Sequence, residues 1–110
     1  NIHIPQGFSP NSDGTNDNWV ITGIDYYPNS VVQIYNRWEL KVFEMEGYKN
    51  DDPQKYFEGI ANFGNTNGKL LPETVYFFVI DLGDTDTDGN AVEEDNRYRK
   101  GFVYIRRGNE

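Results

Sequence analysis

Residues 75–80 read Val75-Tyr76-Phe77-Phe78-Val79-Ile80, six apolar or aromatic side chains in succession. Branched and aromatic residues favour extended backbone, and a run this short and free of Gly and Pro reads as a strand. It is apolar on both faces, so the spacing predicts a central strand over Val75–Leu82. Working outward, Val31–Asn36 sets Val32 and Ile34 against Gln33, the alternation of a strand with one wet face. Tyr98–Arg106 ends the same way, with Val103 and Ile105 on one side and Tyr104 and Arg106 on the other. Further strands are predicted at Ile2–Ile4, Asn18–Thr22 and Leu40–Glu44, a weaker one at Phe57–Ile60, and a one-turn helix at Ile24–Tyr27. Clusters of Asn, Asp, Gly and Pro separate them. No apolar helical period is present, and there are only two alanines. About seven short strands with turns between them predict an all-β, antiparallel β-sandwich.

Leu, Ile, Val and Phe supply 27 of the 110 residues, enough for a small packed core in one domain spanning 1–110. The chain lacks cysteine, which excludes disulfides, thiolate metal sites and cysteine nucleophiles. No apolar run approaches membrane-spanning length. The chain opens on Asn1 with nothing like a signal peptide, and reads as a piece of a longer protein.

A net charge of −8 argues against nucleic acid as a partner. Seven of the 18 acids lie between Asp81 and Asp95, a span without a base, which leaves the remainder nearly balanced. Within it, Asp84-Thr85-Asp86-Thr87-Asp88-Gly89-Asn90, with Asp95 at the twelfth position, has the spacing of a calcium loop. Asp84, Asp86, Asp88, Asn90 and Asp95 are the candidate ligands. A preceding strand and a short Asp at position twelve depart from the EF-hand, so a calcium-binding hairpin and a solvated acidic loop both stand as readings. In Phe8-Ser9-Pro10-Asn11-Ser12-Asp13-Gly14-Thr15-Asn16-Asp17, the residues Asn11, Asp13 and Asp17 either share a cation or cap successive turns. The basic residues that follow the acidic span, Arg97, Arg99, Lys100, Arg106 and Arg107, face either that loop or an outside partner.

Enzymatic readings find little to rest on. His3 is the only histidine and lies at the chain start, and no serine has an evident base. Asp51, Asp52 and Glu58 are the candidates for a glycosidase pair, with solvated loop charges as the plainer reading. Trp19, Trp38, Tyr26, Tyr27, Tyr48 and Tyr56 form either a sugar-stacking platform or the bulk of a leucine-poor core. Trp38, beside Arg37 in a turn between strands, has the composition of an anchor for a protein partner.

The stretch Phe8–Asp17, then Ile34-Tyr35-Asn36-Arg37-Trp38 and Val42-Phe43-Glu44, resemble the gliding-motility-associated C-terminal domain. That is the type B sorting domain of the type IX secretion system of Bacteroidota. Phe57-Glu58-Gly59, Leu71-Pro72 before Tyr76–Ile80, and Lys100-Gly101-Phe102-Val103 follow in the family's order, so the resemblance spans the chain. Glu39 and Thr74 stand where the family has Gly, Tyr56-Phe57-Glu58 replaces its Trp-Asp pair, and the acidic insertion is longer. The resemblance implies an immunoglobulin-like sandwich without catalysis. It also implies a C-terminal signal that takes an upstream cargo from the periplasm through the type IX outer-membrane translocon, to the medium or the cell surface. For type B domains the implied helper is a PorP/SprF-type outer-membrane protein. Phe8, Ser9, Pro10, Asn11, Asp13, Gly14, Asn16 and Asp17, with Asn36, Arg37 and Trp38, are the expected partner-binding residues. The alternative is an extracellular calcium-dependent adhesion or carbohydrate-binding module.

Overall fold

The strand Thr74–Asp81 occupies the middle of a five-stranded sheet, as its doubly apolar sequence predicts. The computed structural model describes residues 2–10 and 17–107. In chain order the strands are β1 (Gly7–Phe8), β2 (Val31–Tyr35), β3 (Lys41–Glu46), β4 (Thr74–Asp81) and β5 (Tyr98–Ile105). They lie in the order β1-β5-β4-β2-β3. All pairings are antiparallel except β1 with β5, so the sheet is mixed rather than purely antiparallel. One-turn 3-10 helices at Ile24–Tyr26 and Gly64–Thr66 and a four-residue helix at Glu94–Arg97 complete the elements.

The predicted alternation decides which face is covered. Val32, Ile34, Tyr76, Phe78, Ile80, Val103 and Ile105 are buried on the inner face. Against them packs a second layer holding Trp19, Ile21, Ile24, Tyr48, Phe57, Ala61 and Leu71. Tilted aromatic rings join the layers, with Trp19 5.3 Å from Phe78 and Phe57 4.7 Å from Phe43. Of the six aromatics offered as a sugar platform, Trp19 and Tyr48 are thus core residues.

The all-β, sandwich-like expectation holds, but five strands form rather than seven. Ile2–Ile4 and Asn18–Thr22 meet only in a single bridge between His3 and Thr22, and Phe57–Ile60 makes one between Ile60 and Leu70. The reason is visible in the asparagines. A primary amide carries a donor and an acceptor side by side, as a peptide does. Asn50 accepts from the Ile21 N–H at 2.8 Å and donates to the Ile21 carbonyl at 2.8 Å. Asn62 holds the Glu44 peptide the same way, at 2.9 Å each. The Asn50 amide therefore satisfies backbone groups at Ile21 that a neighbouring strand would satisfy in a complete second sheet, and Asn62 does the same at the edge strand β3. Gly7–Phe8, read from sequence as the start of a loop, is the one added strand, paired with Tyr104 and Ile105.

Candidate recognition surface

Register places Phe8–Pro10 and Asn36–Trp38, among the described display residues, at one end of the sheet. β1 ends at Phe8, β2 at Tyr35 and β5 at Ile105, while β3 and β4 begin there, at Lys41 and Thr74. The pairings Phe8 with Ile105, Ile105 with Thr74, and Tyr35 with both Phe77 and Lys41 bring these ends together. The acidic span leaves β4 and returns to β5 at the opposite end.

The β2–β3 turn is built by Asn36. Its Oδ1 accepts from the Trp38 and Leu40 amides at 2.9 and 3.0 Å, its N–H donates to Leu40 O, and its carbonyl accepts from Glu39 N. With both ends of the side chain's acceptor used inward, Arg37 and Trp38 project outward. Trp38 is 68% exposed, and the Arg37 guanidinium lies 4.7 Å over its ring. Glu39 takes φ 66°, the left-handed conformation that Gly adopts without strain. Arg37 borders two grooves. One, of about 460 Å³, runs between Trp38 and the Leu71–Thr74 segment; the other, about 530 Å³, lies between Tyr35 and Phe77.

Phe8 belongs to the core rather than to the display. It is buried with its ring 5.6 Å from Phe57, so it anchors the loop that follows and is not available to a partner. Ser9, Pro10 and Asp17 are half-buried. Asn11, Asp13, Gly14 and Asn16 lie outside the described residues.

Arg107, read from sequence as facing the acidic loop or an outside partner, instead ties this end together. Its guanidinium donates to Leu71 O at 3.1 Å, Gly59 O at 3.0 Å and Pro10 O at 3.4 Å. Gly59, in the Phe-Glu-Gly segment, has φ 84°, and a Cβ there would stand 3.0 Å from Arg107 Nη2 and 3.2 Å from Pro10. The basic tail is thus divided: Arg106 and Arg107 lie at this end, while Arg97 pairs with Asp81 at 2.7 Å at the other. That pair holds the Asp81 carboxyl below its usual range, chiefly through the Arg97 hydrogen bond.

Within the acidic span, the Asp81 and Asp86 carboxylates accept from the span's own backbone. Asp86 Oδ1 accepts from the Asp88 and Asn90 amides at 2.9 Å each, and Thr85 bridges to Ala91, closing a small hairpin. Tyr26 donates its hydroxyl to Asp88, and Thr87 bonds the Tyr26 carbonyl through both N–H and Oγ1. Asp84, Asp86, Asp88 and Asp95 do not converge: among the described residues no three acidic or histidine side chains are placed to hold a metal. The hydrolase candidates are likewise dispersed, with Asp51 and Glu58 exposed and Asp52 capping the Gln54 amide at 3.0 Å.

The described residues form an all-β module that uses its polar side chains to finish its own turns and leaves one tryptophan, Trp38, standing clear. A family model, the CHU_C type IX secretion signal domain, matches residues 2–105, and the chain belongs to that family. The family is not an enzymatic one; membership carries a sorting role in type IX secretion, contact with the secretion machinery, and export to the medium or cell surface. No curated protein and no solved structure matched the chain.

Proposed function

We propose that residues 1–110 form a single, non-enzymatic C-terminal sorting domain that directs an upstream cargo across the outer membrane and retains it at the surface. The domain passes through the periplasm already folded and is read by the type IX translocon and a PorP/SprF-type outer-membrane protein. The observation that carries this reading is the exposed Trp38, stacked by Arg37 on a turn that Asn36 holds rigid. A large side chain kept in water by a built turn, beside the end that also holds Ser9 and Pro10, is a surface kept for a partner. Within the expected partner-binding set, Arg37 and Trp38 make contact, Asn36 positions them, and Phe8 is support.

The test fuses residues 1–110 behind a signal peptide and a fluorescent reporter in a type IX-competent bacterium. Delivery to the surface or medium, lost in a translocon-null strain, is expected. Arg37→Ala with Trp38→Ala should abolish delivery while leaving the melting temperature within a few degrees, because both side chains are exposed. Delivery that survives the double substitution removes the turn from the recognition surface, and periplasmic retention in both strains overturns the sorting role of this piece.

A further inference from the structure

The two edges of the sheet are finished differently. At β3, the Asn62 amide holds both groups of the Glu44 peptide and the Asn62 N–H bonds Val42 O, so that edge is closed. At the other edge, β1 covers only the end of β5, where Tyr104 and Arg106 donate to Gln6 O and Phe8 O at 2.8 and 3.0 Å. Strand amides alternate in direction, so those of Lys100 and Phe102 point the same way as Tyr104's, away from β4. Among the described residues nothing pairs with them. Tyr98 and Phe102, 46% and 50% exposed, share the outer face with Lys100, and Phe102 stands opposite the exposed Phe77. β5 contains no acid, and neither Arg99 nor Lys100, on opposite faces, forms an ion pair among the described residues.

We propose that the β5 edge from Tyr98 to Val103 is a strand-addition site for an extended acidic segment of a partner protein. Main-chain hydrogen bonds at Lys100 and Phe102 supply the pairing. Carboxylates meet Lys100 on one face or Arg99 on the other, and apolar side chains lie on Phe102 and Phe77. In a chain of net charge −8, a strand that carries only cations selects an acidic occupant. The same cations select against a second copy, because two β5 edges meeting would set Arg99 and Lys100 against their own counterparts. The surface meets the groove beside Arg37 only at Phe77 and does not depend on the sorting reading.

The probe is a capped octapeptide alternating valine and glutamate, added at millimolar concentration to the 110-residue chain. It should slow hydrogen exchange of the Lys100 and Phe102 amides by about tenfold or more. A valine–lysine octapeptide, and the valine–glutamate peptide N-methylated at every residue, should not. Arg99→Glu with Lys100→Glu should abolish the protection without changing the melting temperature by more than a few degrees. Three results would overturn the proposal: no protection with the acidic peptide, equal protection with the basic one, or protection of these amides that instead rises with protein concentration as the chain dimerises.

Discussion

Tyr48 bridges two backbone groups that would otherwise be stranded in the core. Its hydroxyl donates to Trp19 O at 2.6 Å and accepts from Phe57 N at 2.9 Å, and burial pushes its ionisation well above the ordinary phenol range. Tyr48→Phe should cost about 2–3 kcal/mol, because it leaves a buried donor and a buried acceptor unpaired. Denaturant unfolding would measure it, and a loss below about 1 kcal/mol would mean that both groups find other partners. Glu39 presents the opposite case. The family resemblance places Gly there, and the φ of 66° is the conformation that Gly takes freely. Glu39→Gly should therefore raise stability by about 0.5–1 kcal/mol, read as a higher unfolding midpoint. A lower midpoint would show that the turn is unstrained.

Among the elements, the acidic hairpin was the hardest to read. Its spacing matches a calcium loop, and Asp and Asn at alternate positions also build turns; the two uses differ only in where the oxygens point. In the fold, Asp86 caps the hairpin and Asp88 receives Tyr26. That hydrogen bond, foremost, raises the Tyr26 phenol to about 12. A folded pKa above the unfolded value of 10.0 means the contribution is complete below about pH 10 and is lost as pH rises toward 12. Tyr26→Phe should thus melt lower than the parent at pH 8, with the gap closing in strong alkali. Calorimetric titration with calcium should give no binding heat at millimolar concentration. Heat that disappears in Asp86→Asn would instead assign the site.

The whole molecule, 44 × 30 × 21 Å, carries its display turn and its acidic hairpin at opposite ends of one sheet. Arg107 joins three chain segments at the display end, Pro10, Gly59 and Leu71, through carbonyls alone. Arg107→Met keeps the stem and removes those bonds, and should lower stability by about 2 kcal/mol in thermal or denaturant unfolding. An unchanged melting temperature would mean that water replaces the guanidinium without cost and that Ser9–Pro10 is positioned from elsewhere.

The sequence marked β2, β4 and β5 as strands of one sheet. Alternation in β2 and β5 and the doubly apolar β4 were legible because side-chain period and strand sterics are local, and β4 does lie in the middle. The Asn36-Arg37-Trp38 turn was legible for the same reason, since an Asn-built turn between strands leaves its tip in water. Only the tertiary structure decided the rest. Asn50 and Asn62 pair with Ile21 and Glu44 from distant positions, so nothing near them in sequence reveals that an amide replaces a neighbouring strand at Ile21 or closes the β3 edge. Phe8 faces the core because β1 pairs with β5, almost a full chain length away. Arg107 finds its three carbonyls, and β5 keeps an open edge, through contacts that exist only once the strands have been ordered.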